Sequence, residues 1–276
     1  MTTLKKPDLV GKPLNLAASI PQEYAQSIIK MIDRMAKDTK RELKNLFEEH
    51  ASDSAMDASV TSQARILINA LLGKWEPLFN EWAKKSTKRM IKQVERNATS
   101  TLGMSLKEIS ENVTISRAGL MDADIQEIMK ASTEEAANLI KTLPQQYLAD
   151  VQGQVMRSIT TGKGLEDLVP YLNTKYKQNI RKARNVAQDQ TRKAYNNLNA
   201  GRMKKMGIKK FIWIHSGGGK EPRELHKKLN GKECSYDDPP YIGEMYGQEI
   251  YGLPGQLPNC RCTQKPVINL EELANG

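Results

Sequence analysis

Cysteine is scarce in this chain: three in 276 residues, at positions 234, 260 and 262. Three thiols confined to the last 43 positions cannot build a disulfide framework. Reduced thiols and cytosolic synthesis are the default expectation. Aromatics make up only 5% of the chain. That is lean for a β-rich or pocket-rich enzyme and ordinary for an extended helical protein. No apolar run approaches the roughly 20 residues that a membrane helix needs. The best, Ile66 to Leu72, is short and broken by Asn69. The start, Met1 to Asp8, carries no apolar segment of the kind a secretory signal requires, so none is expected. Walker loops, dinucleotide fingerprints, Gly-x-Ser-x-Gly elbows and His-Glu-x-x-His are all missing.

What is present reads first as helix. Residues 1–20, with Pro7, Gly11 and Pro13, predict a flexible arm, and 21–160 a helical body. Ser19 and Pro21 open a helix in which Tyr24, Ile28, Met31, Ile32, Met35, Leu43, Leu46 and Phe47 recur at three- and four-residue spacing. A polar break is expected at Ala51–Asp57, then helix from Ala58 to Ala98 with a kink near Gly73–Pro77, and a loop over Thr99–Gly103. Short helices follow from Ser105, over Met121–Thr142, and from Pro144 to about Ile159. After the turn Thr160–Gly164, a short helix over Leu165–Leu172 leads to a long one over Lys175–Lys205, with Gly207 as its C-cap candidate. Residues 209–276 then hold six of the twelve prolines and short β-like runs such as Phe211–Ile214. The fold class is α+β: an extended, mainly helical body with a small C-terminal α+β part at about 209–270.

Net charge is +10, and it is concentrated. Residues 171–210 carry +11, against about +1 for 1–170 and −2 for 211–276. On a helix, Ile180, Ala183, Ala187, Ala194 and Leu198 share the core face. Lys177, Arg181, Arg184, Gln188 and Arg192 form an adjacent stripe. Such a stripe can track phosphates, meet an acidic protein surface, or simply be solvated. Only Tyr176 and Tyr195 interleave, which gives little support for single-strand stacking.

Two of the three histidines, His215 and His226, lie in the part that holds all the cysteines. Cys260-Arg261-Cys262 follows Pro258-Asn259, and on a strand positions i and i+2 point to one side. Two thiolates and two imidazoles, Cys260, Cys262, His215 and His226, would complete a closed structural zinc site. The bland readings are buried thiols and histidines hydrogen-bonded to loops. Cys234 reads as a small core residue. A catalytic Cys–His pair has no third orienting group in view. Gly217–Lys220 reads as a flexible turn rather than an anion cradle, and Asp237-Asp238-Pro239-Pro240 as a turn.

The order of features in the last third carries a family resemblance. Arg184 to Lys193 is followed by Gly207, by Phe211-Ile212-Trp213-Ile214-His215-Ser216-Gly217-Gly218-Gly219-Lys220-Glu221-Pro222-Arg223, and by His226. Leu229-Asn230-Gly231-Lys232, Pro239-Pro240, Pro254-Gly255 and Pro258-Asn259-Cys260-Arg261-Cys262 complete the series. Over roughly residues 160–270 this resembles the phage head morphogenesis, or Mu F-like minor head protein, family, and 161–276 is the corresponding domain with its basic helix at about 175–205. The resemblance implies a minor capsid protein of a tailed bacteriophage or prophage, present in the virion and assembled in the bacterial cytoplasm. Its implied partners are the portal protein, capsid or scaffold proteins and, non-specifically, phage DNA, with roles in head assembly and in DNA packaging or ejection. No membrane partner and no enzymatic activity are implied. Some members carry Cys at the positions of Arg223 and His226. This chain departs there, which leaves Cys260, Cys262 and His226 as ligands with His215 as the choice for the fourth.

Two competing functions set the discriminating observations. A zinc-dependent nuclease or toxin-like hydrolase using His215, His226 and Arg223 needs an open metal position and a base. A helical DNA-binding protein needs a helix-turn-helix, and none is evident.

Overall fold

The computed structural model describes residues 8–49, 58–109, 121–217 and 221–269. The expected break at Ala51–Asp57, His50 and most of the Gly217–Lys220 turn lie outside the described residues. The fold is α+β. Five long helices come first: α1 (Ser19–Glu49), α2 (Ala58–Lys107), α3 (Ala123–Lys141), α4 (Leu143–Thr160) and α5 (Leu165–Lys205). Strand β1 (Leu9–Val10) precedes them, and β2 (Lys210–Ile214), α6 (Glu224–Leu229), β3 (Glu233–Ser235), β4 (Tyr241–Met245), β5 (Gln248–Tyr251) and β6 (Thr263–Ile268) follow.

Two expected helix breaks do not occur. Thr99–Gly103 lies inside α2, which runs on to Lys107, and Leu172–Lys175 lies inside α5. The polar runs that look like loops satisfy their hydroxyls on their own helix. Thr99 Oγ1 donates to the Glu95 carbonyl (3.0 Å), Thr101 Oγ1 to that of Asn97 (2.9 Å), and Thr174 Oγ1 to that of Pro170 (3.0 Å). Leu102 and Leu106 meanwhile keep the buried stripe of α2 going. Segment 1–20, read as an arm, contains β1, and Leu14 is fully buried.

The chain forms two compact units. One comprises residues 21–88 and 134–187. In it α1 and the first part of α2 run antiparallel. Tyr24 Oη and Thr87 Oγ1 meet at 2.8 Å, and Trp75 Nε1 and Lys74 Nζ donate to Asp38 Oδ2 at 2.8 and 2.7 Å. The apolar repeat of α1 is its buried face: Tyr24, Ile28, Met31, Ile32, Met35, Leu43 and Leu46 are all buried. Lys175 Nζ reaches Asp150 Oδ2 (2.9 Å) and Tyr176 Oη reaches Asp33 Oδ1 (3.2 Å), tying the first half of α5 to α4 and α1.

The other unit comprises residues 1–20, 89–133 and 188–276. Its sheet is antiparallel in the order β1-β6-β2-β3, and β4 and β5 form a separate hairpin. In β2 the residues alternate: Phe211 and Trp213 are fully buried, and Ile212 and Ile214 half-buried. The second half of α5 docks here. Gln264 Nε2 donates to the Asn196 carbonyl (3.2 Å), and Tyr195 Oη meets Thr101 Oγ1 (2.5 Å). Arg202 Nη2 donates to Glu95 Oε1 at 2.8 Å with both side chains almost completely buried. At Gly255, φ is +83°, and a Cβ would fall 2.6 Å from Asn196 Nδ2. Only glycine allows the loop before β6 to lie this close to α5.

Candidate functional site

The loop before β6 places the two sulfurs. Cys260 and Cys262 are each 4% exposed while Arg261 between them faces solvent, so the expected two-residue alternation applies just ahead of the strand. Helix α6 supplies His226, 3% exposed, from the segment Pro222–Leu229. His226 Nδ1 lies 3.4 Å from Cys260 Sγ and 3.6 Å from Cys262 Sγ. All three ligand atoms fall within 4.8 Å of one another, so the group can hold a metal ion.

Surrounding groups orient this cluster. His226 Nε2 is 3.0 Å from the Ile242 carbonyl oxygen. A carbonyl only accepts, so Nε2 carries the proton and Nδ1 presents its lone pair to the sulfurs. That is the outer-shell arrangement of metal-bound histidines. Trp213 packs edge-on against the His226 ring, with centroids 5.2 Å apart. The buried indole Nε1–H of Trp213 has no oxygen or nitrogen acceptor. It is the Cys262 thiolate that this N–H favours. The Gly255 N–H donates to Cys260 Sγ at 3.4 Å.

The thiols titrate as a pair. Hydrogen bonding from Cys262, opposed by burial and joined by His226 and the Gly255 amide, draws the Cys260 thiol well below its ordinary value. The same bond, together with burial, pushes Cys262 upward.

The fourth expected ligand stands apart. His215 is half-buried just beyond β2, and its Nδ1 accepts the Gly217 N–H (3.1 Å). It lines, with Arg223, Arg261 and the three cluster residues, a cavity of about 540 Å³. Cys234 sits half-buried on β3, away from the cluster, with its Sγ directed at the Lys232 carbonyl (3.7 Å). The Asp237–Pro240 segment is a turn whose Asp237 and Asp238 amides donate to Ser235 Oγ.

The basic stripe divides along α5. Lys177, Arg181 and Arg184 are exposed, while Ala183, Ala187, Ala194 and Leu198 are buried. Arg192 is half-buried. Its Nη2 and Nε are 2.8 and 2.9 Å from the oxygen of a suitably oriented Gln188 amide. Burial, and then the neighbouring Arg261, lower its pKa from the ordinary arginine value. Nearby, Asp189 accepts the Asn259 amide at 2.8 Å, and burial raises its pKa despite that bond. Sequence reasoning missed Ile242, Trp213, Asp189 and Gly255. The alternation of β2 was the one signal that could have placed Trp213 on the cluster side.

Residues 149–265 match the family model described as Phage Mu protein F like protein. The C-terminal part of this chain is thus similar to the Phage Mu F-like family. The matched segment takes in α5, β2 to β5, the start of β6 and the whole Cys–His cluster. The chain is also similar to an uncharacterized protein of Haemophilus influenzae, 25% identical over 269 residues. That match covers 95% of this chain and 56% of the relative, so the chain spans about half the relative's length. No solved structure matches the chain. Among the described residues, no helix is long and apolar enough to cross a membrane.

Proposed function

We propose that the protein is a minor head protein of a tailed bacteriophage or prophage, acting in head morphogenesis. The observation that carries this reading is the Mu F-like match over residues 149–265. In this reading the protein resides in the virion and associates with the portal and with capsid or scaffold proteins. It takes part in DNA packaging or ejection without being an enzyme. The exposed Lys177, Arg181 and Arg184 on α5 supply a contact face for an acidic portal surface or for DNA backbone. A structural zinc in the Cys–His cluster is the one cofactor of this reading, a lock between α6 and the start of β6.

Co-purification with the portal protein, followed by proteomics of mature particles, tests the assignment. The expected result is portal co-purification and presence in virions. Absence from particles together with no portal contact would sink it. Incubation with plasmid DNA and divalent metal is expected to leave the plasmid intact. Metal-dependent cleavage that disappears in His226→Ala would instead establish the nuclease alternative.

A further inference from the structure

We infer that the zinc at His226, Cys260 and Cys262 has only three ligands from this chain, and that its fourth position opens on the adjacent cavity to bind water or a small anion. The inference rests on the structural-zinc part of the reading above and adds to it an exchangeable site.

The three-ligand part follows from distances. Tetrahedral zinc with Zn–S near 2.3 Å and Zn–N of 2.0–2.1 Å separates nitrogen from sulfur by about 3.6 Å. The two N···S separations here are 3.4 and 3.6 Å. Both nitrogen-to-sulfur edges of such a tetrahedron are therefore already in place. The His226 tautomer also fits, because the Ile242 carbonyl holds the proton on Nε2 and leaves Nδ1 free to ligate. The buried Trp213 indole N–H, edge-on to His226 and without an oxygen or nitrogen acceptor, is left as a donor beside the cluster.

The open position follows from His215, the one other imidazole lining the cavity. Its Nδ1 lone pair is engaged by the Gly217 N–H at 3.1 Å, so in the neutral ring the proton sits on Nε2. Nε2–H is a donor and cannot ligate. The residue is also anchored, because its backbone N–H donates to Asn230 Oδ1 at 2.9 Å. Among the described residues no other His, Cys, Asp or Glu joins the three-residue group. What faces the fourth position is a cavity of about 540 Å³ whose charged lining is Arg223, Arg261 and one carboxylate, Glu221, beside the donor His215. Two thiolates and a neutral imidazole cancel the charge of Zn²⁺. The two guanidiniums outweigh the single Glu221 carboxylate, and this net positive lining favours an anion over a neutral fourth ligand.

Cobalt substitution of the full-length protein reads this directly. One Co²⁺ per chain is expected, with thiolate-to-metal charge-transfer bands and intense visible bands that shift when azide is added. His215→Ala is expected to keep one metal per chain and a spectral response to azide, at a higher azide concentration because the Nε2–H donor is lost. Cys262→Ser and His226→Ala are expected to retain at least about tenfold less metal under the same dialysis. The cobalt spectrum of the unmodified chain is informative even where those variants fail to fold. An azide-insensitive spectrum that becomes sensitive only in His215→Ala would assign His215 as the fourth ligand. That would overturn the inference while leaving the structural zinc intact. Retention of neither zinc nor cobalt would overturn both, and neither result touches the test in virions.

Discussion

At the scale of single residues, two sites of buried charge stand out. Glu95 and Arg202, 107 positions apart, pair at 2.8 Å with side chains 5% and 0% exposed. Glu95 Oε1 also accepts the Thr99 hydroxyl at 2.9 Å. Removing one member leaves the other charged in a low-dielectric interior, so Glu95→Ala is expected to destabilise the protein by about 3–5 kcal/mol. Urea unfolding checks it, and a loss below about 1 kcal/mol would show that the pair is dispensable. Asp38 is the second. Burial opposes its ionisation, but hydrogen bonds from Lys74 and Trp75, with the charges of Lys74 and Arg41, hold its pKa below the ordinary carboxylate value. A lowered folded pKa means the contribution to stability is present above about pH 4, the unfolded value, and is lost as pH falls through the folded one. Asp38→Asn should therefore flatten the acid limb of a stability-versus-pH curve while lowering stability at neutral pH. An unchanged acid limb would refute this. Neither residue was legible beforehand: a lone Asp or Glu within a helix carries no mark of a partner so distant in sequence. His226, Cys260 and Cys262 were legible, because residue types this rare in the chain fall into one short region. The outer shell was not, since a backbone carbonyl such as that of Ile242 leaves no trace in residue type.

At the scale of elements, the helices were readable wherever an apolar stripe was regular. In α1 the expected face is the buried one. The errors arose where polar residues are helix-compatible through their own backbone. Thr99, Thr101 and Thr174 return their hydroxyls to carbonyls three or four residues earlier, so runs that look like loops continue α2 and α5. Proline shows the complementary point. Pro77 is exposed in the interior of a 50-residue helix, where it removes one backbone hydrogen bond without contributing burial. Relative to alanine, proline in a helix interior is unfavourable by up to about 3 kcal/mol. Pro77→Ala is accordingly expected to stabilise the chain by about 1–3 kcal/mol, read as a rise in Tm. A fall in Tm would mean that Pro77 is needed for the packing of α2.

At the scale of the whole molecule, charge is the organising quantity. The excess of +10 resides in residues 171–210, and the structure subdivides it further. Arg202 is buried against Glu95, and Lys204, Lys205 and Lys210 pair with Asp237, Asp122 and Glu233. Arg192 is half-buried beside Gln188. Lys177, Arg181 and Arg184, all exposed, lie on the first half of the Mu F-like helix. A cationic face of this kind binds phosphates by counterion release. For duplex DNA the slope of log K against log salt is then about −0.9 for each phosphate neutralised. If DNA is the partner, replacing the three residues together with alanine should make that slope shallower by two to three units, about one for each lost contact, and weaken all sequences alike. If an acidic portal surface is the partner, the same variant should leave DNA affinity unchanged and slow association with the portal at low ionic strength, because surface charge acts mainly on the encounter rate. Parallel salt titrations of both bindings separate the two. No change in either would remove Lys177, Arg181 and Arg184 from the contact and return the stripe to a solvated helix face.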